Sequence, residues 1–358
     1  MSDIYSPDDL QLAKLSGDWC ASFSGGKDST ALVTWVEYLR RSGQLSVARP
    51  QLVQSDTMVE EPHLQAIARD TVSVLEASGW ECAMVEPEIN QKLYNRILGI
   101  GNTPVHAGGG RFMRWCTRAT KIGPMNRWRK EHSSGLVLTG LRLGESMDRD
   151  TKIKKAGGCA AGGECGIPPA TANTYSPIVN WSTCIVIDWL MGKVPRRCRD
   201  LMKDILPTTK RLVEIYEVSI GQDGLWEDAG REVSAARFGC IGCPAISSER
   251  FAPKSTVKRN KGRLSALNEI YDVWFEARRR DNRLVSPRTG GRGPIKMAVR
   301  KILFARIMDI QRRAGVILVS PEDEAFIRQC WQDKVYPRGW SEADEENEPA
   351  EELQRRFA

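Results

Sequence analysis

The chain has 358 residues, of which 41% are hydrophobic and 27% are charged, so it is long enough to bury a core and is neither disordered nor fibrous. Lys and Arg (52) outnumber Asp and Glu (45), which gives a net charge of +7. Residues 341–358 hold seven acids and two bases, so the preceding part is more basic still and suits a phosphate-rich partner.

The N-terminal sequence and the cysteine content indicate the cellular compartment. The first ten residues contain three aspartates instead of a basic and then apolar signal, and no apolar run reaches the roughly 18 to 20 residues that span a bilayer. We therefore expect a cytoplasmic protein with no membrane partner. Since the cytosol keeps thiols reduced, the ten cysteines favour metal or redox use over structural disulfides.

Strand and helix patterns alternate between residues 19 and 150. Apolar runs predict strands at 19–23, 51–54, 82–85 and 136–139, and amphipathic patterns predict helices at 29–40, 62–78 and 117–132. This alternation is typical of an α/β fold, a doubly wound parallel sheet with helices on both faces. Ligands in that architecture bind at the carboxyl ends of the strands.

Composition divides the chain into four predicted parts. A lead covers residues 1–18, an α/β domain 19–250, a helical basic region 251–340 and an acidic mobile tail 341–358. The glycine-rich stretch 151–175 inside the second part is too rich in turn residues for a helix or strand. Between residues 254 and 301 there are fourteen Lys or Arg and four acids, a surplus suited to phosphate contacts.

The loop after the first predicted strand reads Ser-Phe-Ser-Gly-Gly-Lys-Asp-Ser over residues 22–29. Its glycines allow a phosphate to approach the backbone, the following helix presents N–H groups, and Lys27 adds a positive charge. The spacing is neither that of a Walker A loop nor that of a dinucleotide-binding loop. The alternative is an ordinary glycine-rich turn between a strand and a helix.

Residues 24–29 resemble the PP-loop of the ATP-pyrophosphatase superfamily. This resemblance implies an adenine nucleotide alpha hydrolase-like fold that binds ATP and cuts the bond between its α- and β-phosphates. The loop residues implied to bind ATP are Ser22, Ser24, Gly25, Gly26, Lys27, Asp28 and Ser29. Lys27 and Asp28 are also implied to be catalytic, with Asp28 as the ligand of Mg2+. Asp56 and Thr57, after the second strand, would contact adenosine, or one of them would cap the next helix.

Two further segments resemble the phosphosulfate-reductase branch of that superfamily. Residues 114–121, which include Cys116 and Lys121, are similar to its Cys-x-x-Arg-x-x-Lys region, and residues 140–149 match its G-x-R-x-x-E-S-x-x-R. The residues implied to bind the nucleotide are Gly140, Arg142, Glu145 and Arg149. Arg142 would be catalytic by clamping phosphate, and the alternative is a solvated surface arginine. Cys116 is interpreted as a spare metal ligand or as a sulfur-carrying nucleophile.

Two close cysteine pairs occur in loop sequences. Cys159 and Cys165 lie in the glycine-rich stretch, and Cys240 and Cys243 form a C-x2-C. Two such pairs can enclose one metal centre, so we expect these four residues to hold a 4Fe-4S cluster, with Zn as the second choice and unligated thiols as the alternative. The apolar neighbours of Cys20, Cys82 and Cys184 predict core positions for these three residues.

The C-terminal region narrows the resemblance. Together with the loop and cysteine motifs, residues 267–274, 282–284, 293–300, 310–311 and 324–331 look like the helical extension of the DNA phosphorothioation sulfur-transfer proteins of the DndC and SspD type. The resemblance covers roughly residues 20 to 335. It departs from that family in one respect, because residues 231–238 and 245–253 contain no further cysteines beside the C-x2-C. Trp274 and Trp331 would be core residues or stacking platforms for bases.

This resemblance implies an enzyme that uses ATP to activate a DNA backbone phosphate as an adenylate. Sulfur from a cysteine desulfurase would then replace a non-bridging oxygen. The expected partners are DNA, the desulfurase and other proteins of a phosphorothioation system, which serve restriction-modification and phage defence. The alternatives are a reductase of adenylyl sulfate or its 3'-phosphate, a tRNA-thiolating PP-loop enzyme, and a non-catalytic DNA-binding subunit.

Overall fold

A computed structural model describes residues 4–47, 49–105, 115–132, 135–143, 174–220, 240–241, 264–286 and 289–345. The chain forms two compact units that interleave along the sequence. The first unit comprises Met1–Ser55, Pro62–Val85 and Met125–Arg237, and the second comprises Asp56–Glu61, Glu86–Pro124 and Phe238–Ala358. No helix within the described ranges is both long enough and apolar enough to cross a membrane.

The described helices and strands follow one another in a mixed α/β order. They are α1 (Asp9–Leu15), β1 (Trp19–Phe23), α2 (Lys27–Arg41), β2 (Gln51–Ser55), α3 (Pro62–Ala77), β3 (Glu81–Val85), α4 (Trp115–Thr117), α5 (Gly123–Glu131), β4 (Leu136–Leu138), β5 (Thr174–Tyr175), α6 (Thr183–Met191), α7 (Arg196–Leu201), α8 (Leu206–Ile220), α9 (Glu269–Arg278), β6 (Arg283–Val285), β7 (Arg292–Ile295), α10 (Met297–Ala314) and α11 (Pro321–Gln332). π-Helical turns occupy Asn95–Ile100 and Arg118–Ile122. The helix predicted over 117–132 is therefore divided, because its first turns are π-helical.

The first unit contains a five-stranded sheet in the order β3-β2-β1-β4-β5. All four pairings are parallel, which confirms the predicted parallel α/β sheet. The chain moves outward from β1 through β2 to β3, and then continues on the other side of β1 with β4 and β5. The order thus reverses between β1 and β4, and ligands of open α/β sheets bind at the carboxyl ends of the strands beside such a reversal.

Aromatic packing fixes the helices of the first unit. Trp35 on α2 meets Trp181 edge-on at 5.8 Å between ring centroids, and Tyr38 meets Trp189 of α6 at 5.6 Å. These rings are buried, and aromatic side chains of this size dominate the apolar area that a core removes from water. Because α2 also packs on β1, its first turn is held at a fixed position after that strand.

The second unit is built around α9, α10 and α11, with β6 and β7 as an antiparallel hairpin. Trp274 of α9 is fully buried and packs against Tyr94 at 5.5 Å, so it is a core residue and not a stacking platform. Trp331 is half-buried and meets Phe304 edge-on. Arg300 is buried and donates hydrogen bonds to backbone carbonyls, so it ties segments of this unit together.

The mobility predicted from residue 341 onward stays a prediction, but residues 341–345 make contacts in this structure. Glu342–Asp344 form a 3-10 turn. The Glu345 carboxylate accepts the backbone N–H of Met297 at 2.7 Å and the hydroxyl of Tyr336 at 2.6 Å. The carboxylate satisfies an otherwise unpaired N–H at the start of α10, where the helix dipole favours negative charge, and these acids therefore belong to the second unit.

Candidate functional site

The loop between β1 and α2 brings the glycine-rich residues to the carboxyl end of the central strand. Gly25 has a φ of +70°, and a Cβ there would lie 2.8 Å from the Cβ of Ala68. Both the left-handed backbone and the close approach of α3 therefore require glycine. Gly26 is the N-cap residue of the fifteen-residue helix α2. Because glycine has no side chain, Gly26 does not accept a hydrogen bond from the first N–H groups of the helix.

Serine hydroxyls hold the shape of this loop. Ser29 donates from Oγ to the carbonyl of Gly26 at 3.0 Å and accepts the backbone N–H of Ser24 at 3.2 Å. The hydroxyls of Ser24 and Ser29 lie 3.0 Å apart, and Ser22 is half-buried within β1. The two loop serines therefore support the loop from within. Hydrogen bonds of this kind hold the backbone donors of the loop in position for an anion.

Asp28 lies between two cations. Lys27 Nζ is 3.0 Å from Asp28 Oδ2, and Arg142 donates from Nε to Asp28 Oδ1 at 2.7 Å. Arg142 is only 1% exposed, and it also donates to the carbonyl of Trp181 and to Thr183 Oγ1. Its burial rules out the alternative of a solvated surface arginine. Two cations and one carboxylate leave a positive charge beside the helix N-terminus, which favours a phosphate group.

Gly140 closes the site from the other side of the order reversal. It follows β4, and a Cβ on it would lie 2.7 Å from the carbonyl carbon of Asp28 and 2.8 Å from the nitrogen of Ser29. Only glycine permits this contact between the loop after β4 and the first turn of α2. The predicted residues Gly25, Gly26, Lys27, Asp28 and Gly140 are thus brought together with Arg142 in the first unit.

Tyr216 of α8 also belongs to this group, although no local sequence motif indicates it. Its hydroxyl accepts the backbone N–H of Lys27 at 3.4 Å, and the Lys27 ammonium lies 5.5 Å from its ring centroid. Tyr216 therefore contacts both the backbone donor and the charge of the residue most suited to bind phosphate. It belongs to an ordinary amphipathic pattern, so the sequence gives no local signal for its role.

Asp56 and Thr57 follow β2 in the chain and belong to the second unit. Asp56 accepts the backbone N–H of Met58 at 2.8 Å and closes a turn in which Met58 has a φ of +62°. Both Asp56 and Thr57 are buried. Helix α3 begins at Pro62, so neither residue caps it and the helix-cap alternative is wrong. Their contact with adenosine stays a prediction.

Cys116 and Cys240 share a charged neighbour in the second unit. Lys121 Nζ lies 3.3 Å from Glu60 Oε1. Burial alone would lower the pKa of the Lys121 ammonium, but Glu60, Cys240 and Cys116 together raise it above its ordinary value. Burial raises the pKa of Glu60, against the opposing effect of Lys121. Both thiols are half-buried, and the N–H of Ile241 binds the carbonyl of Val59.

Several predicted site residues lie outside the described residues, and they stay predictions. They are Glu145, Arg149, Cys159, Cys165 and Cys243. Within the described part of the chain, no three His, Cys, Asp or Glu side chains come together as a metal site. Cys240 and Cys116 are the described members of the candidate cysteine set, so the expected cluster and its Zn alternative also stay predictions.

The remaining cysteine predictions have mixed outcomes. Cys20 is buried and Cys82 is half-buried, and burial raises the pKa of each thiol to about 12, as expected of unreactive core thiols. The prediction for Cys184 is wrong, because it is exposed on α6. Its apolar neighbours Val186, Ile187 and Leu190 face the core from other positions of the same helix.

The residues of the first unit fit the phosphates of ATP. Two glycines allow close approach, the N-terminus of α2 has no side-chain cap from Gly26, and the ion cluster has a positive balance. The same residues do not fit Mg2+ as well, because both oxygens of Asp28 accept hydrogen bonds from cations. Asp28, the carboxylate of this loop, is therefore engaged in holding Lys27 and Arg142.

The sequence matches no protein-family model, and no curated protein matches it significantly. The structure is similar to a phosphoadenylyl-sulfate reductase from Candida auris in its phosphate complex, with a TM-score of 0.32 and 12% identity over 54% of this chain and 91% of the reductase. It is also similar to the U34-tRNA thiolase from Methanococcus maripaludis with its 4Fe-4S cluster, with a TM-score of 0.32 and 15% identity over 59% of this chain and 74% of the thiolase. Neither similarity assigns a function to this chain.

Proposed function

We propose that the protein is an ATP pyrophosphatase that adenylylates a DNA backbone phosphate, so that sulfur can replace one of its non-bridging oxygens. The observation that supports the ATP step is the glycine-rich loop, with its Lys27, Asp28 and Arg142 cluster, at the N-terminus of α2 beside the order reversal of the sheet. That position and that charge are what a nucleoside triphosphate requires.

The residues of the first unit have separate roles in the reaction of ATP. The backbone at Gly25 and Gly26 receives the phosphates, and Lys27 stabilises the negative charge that grows on the departing pyrophosphate. Arg142 assists from the opposite side of Asp28, and Asp28 holds both cations in place before ATP arrives. Preorganised charges of this kind lower the barrier because they do not have to reorient during the reaction.

The proposed reaction transfers AMP and then replaces it with sulfur. An oxygen of the DNA phosphate attacks the α-phosphorus of ATP, the bond between the α- and β-phosphates breaks, and pyrophosphate leaves. A cysteine desulfurase delivers the sulfur as a persulfide, and a second thiol attacks the inner sulfur of that persulfide, so that a disulfide forms and sulfide is released. The sulfide then attacks the DNA phosphorus, the bond from phosphorus to the adenylylated oxygen breaks, and AMP leaves with that oxygen. Adenylylation is needed because an unactivated phosphodiester oxygen is a poor leaving group.

The choice of DNA as substrate has separate support. The C-terminal motifs resemble the DNA phosphorothioation sulfur-transfer proteins, and the second unit carries a surplus of arginine. In this proposal Asp56 and Thr57 contact adenosine, Glu145 and Arg149 complete the nucleotide site, and the cysteine set handles sulfur. The desulfurase and the other proteins of a phosphorothioation system are the proposed partners, in the cytoplasm.

Pyrophosphate release from ATP, measured with and without DNA, tests the proposal. We expect release that depends on DNA, and a loss of at least about 100-fold in Lys27→Ala, because one preorganised charge contributes that much to such reactions. Lys14→Ala, which removes an exposed lysine of α1, is the matched control. Release that survives in Lys27→Ala would overturn the nucleotide assignment. Stimulation by tRNA instead of DNA, or sulfite release from adenylyl sulfate, would move the protein to one of the alternative reactions.

A further inference from the structure

The basic residues of the second unit fall into groups with different surroundings. Arg312 and Arg313 of α10 are exposed and bind the carboxylate of Asp309, and Arg313 also binds Glu269. Arg300 is buried on backbone carbonyls. Arg312 and Arg313 are balanced by adjacent carboxylates, and Arg300 is fully buried, so a ligand at the surface cannot reach it.

Three arginines differ from that pattern, namely Arg278 of α9, Arg283 of β6 and Arg292 of β7. Arg278 donates to the carbonyl of Val105 at 3.4 Å, and Arg283 donates to the carbonyls of Gly293 and Arg292, each at 2.8 Å. None of these three arginines forms an ion pair with a carboxylate in the described part of the chain. Carbonyl partners satisfy N–H groups but leave the full positive charge in place.

The three guanidinium groups also act on one another. Arg292 is the first residue of β7 and pairs with Val285 of β6. Its Nε is buried and has no hydrogen-bond partner among the described residues. The pKa of Arg283 is lowered, first by burial and then by the charges of Arg292 and Arg278. Like charges held together without an acid destabilise the folded state, so this cluster favours an anion that the described part of the chain does not provide.

An exposed aromatic ring lies beside the cluster. Phe275 is 55% exposed, and the guanidinium carbon of Arg278 is 5.6 Å from its ring centroid. A single exposed apolar side chain is common on protein surfaces, and what distinguishes Phe275 is its position beside an arginine of the cluster. A flat ring next to an arginine charge matches a nucleotide, whose base can stack while its phosphate is neutralised. An acidic protein segment would satisfy the charges but would bring no planar group for the ring.

We propose that Arg278, Arg283, Arg292 and Phe275 form a docking surface for single-stranded DNA, in which the arginines bind backbone phosphates and Phe275 stacks on an unpaired base. This inference rests on the proposed function and deepens it, since it assigns the surface of the second unit that holds the DNA. Unpaired bases are specified because a base in a duplex is already stacked on both sides. Arg312 and Arg313 are not part of the surface.

The test is the binding of a fluorescein-labelled 20-nucleotide single strand to the full-length, nucleotide-free protein, followed by fluorescence anisotropy at several salt concentrations. We expect Arg278→Ala to weaken binding and to reduce the slope of log affinity against log salt by about 0.7, the value for one lost phosphate contact on a single strand. Arg312→Ala makes the same change in charge on a paired arginine and should leave the slope unchanged. Thermal unfolding of each variant checks that the fold is intact.

Phe275 gives an independent arm of the test. Phe275→Leu should weaken binding by roughly five- to a hundredfold, the range for one lost stacking contact, without changing the salt slope. Because Phe275 is exposed, this substitution should not unfold the unit. Equal losses in Arg278→Ala and Arg312→Ala, tighter binding of a duplex than of the single strand, or displacement of the strand by an acidic peptide at equal concentration would each overturn the docking surface.

The outcomes separate this surface from the proposed function. If DNA-dependent pyrophosphate release and strand binding are unchanged in Arg278→Ala and Phe275→Leu, the docking surface is overturned and the proposed function stands. If these variants lose strand binding but the wild-type protein releases no pyrophosphate with DNA, the docking surface stands and the proposed function fails.

Discussion

Arg142 reaches the first turn of α2 and donates from Nε to Asp28 Oδ1 at 2.7 Å, although 114 residues separate the two in the chain. The same guanidinium donates to the carbonyl of Trp181 at 2.8 Å. Arg142 therefore connects the loop after β4 to the glycine-rich loop after β1, and it does so from a buried position. Its removal should affect the fold as well as the chemistry.

We expect Arg142→Ala to lower the free energy of unfolding by about 1 to 3 kcal/mol, because the buried carbonyl of Trp181 loses its donor and Asp28 loses one of its two cations while it keeps Lys27. Arg211→Ala is the matched control, since Arg211 pairs with Asp70 at 2.7 Å but both side chains are about half-exposed. That pair should contribute less than about 1 kcal/mol. Urea unfolding followed by circular dichroism measures both, and equal losses would contradict the prediction.

Two substitutions of Tyr216 should change the affinity for ATP in opposite directions. Its hydroxyl occupies the N–H of Lys27 that a phosphate would take, so Tyr216→Phe should tighten the binding of a non-hydrolysable ATP analogue by about two- to tenfold. Tyr216→Leu also removes the ring that holds the Lys27 ammonium and should weaken binding. Tyr38→Phe, at a buried tyrosine further along α2, is the control. Weaker binding in Tyr216→Phe would show that the hydroxyl assists ATP instead of competing with it.

The iron, acid-labile sulfide and zinc content of the purified protein tests the metal prediction. Protein purified without oxygen should contain about four irons and four acid-labile sulfides per chain, and a Cys240→Ser, Cys243→Ser double variant should lose them. Cys20→Ser is the control, because Cys20 is a buried core thiol. One zinc and no iron would show that the metal is zinc and not a 4Fe-4S cluster. Unchanged metal content in the double variant would show that Cys240 and Cys243 are not ligands. Cys116→Ser tests whether that residue, which shares Lys121 with Cys240, is also a ligand.

Asp323 makes the second unit sensitive to acid. Burial tends to raise the pKa of this carboxyl, but hydrogen bonds from Ser320 and Asn95 outweigh it and lower the pKa below its ordinary value. A lowered pKa stabilises the folded state above the ordinary value near 4, and that contribution is lost as pH falls through the folded value. Asp323→Asn should therefore cost stability at pH 7 and much less near pH 2.

Unfolding free energies at both pH values measure this effect. Asp309→Asn is the comparison, because the Asp309 carboxylate is exposed beside Arg312 and Arg313 and has no buried partner in the described residues. An equal loss in Asp323→Asn at pH 7 and at pH 2 would mean that the carboxylate acts through its shape and not through its charge.

Local patterns could be predicted from the sequence, and contacts between distant segments could not. Apolar periodicity and the two glycines predict the strand before Ser24 and the helix after Gly26, and the structure confirms both elements. The ion pair of Asp28 with Arg142 depends on how strands separated in the chain pair in the sheet, and no pattern along the sequence encodes it. Cys184 shows the same limit, because apolar neighbours in sequence do not share its side of the helix.

The interleaving of the two units has a consequence for how the protein is made. Residues 56–61 and 86–124 leave the ribosome early, but the remainder of their unit begins at residue 238. Until then these segments are exposed without the helices that complete their core, and they become a target for chaperones and proteases. A polypeptide truncated near residue 250 would keep residues 56–61 and 86–124 but would lack most of the segment that completes their unit. Because a single cut cannot separate the two units, a fragment made in this way should be insoluble.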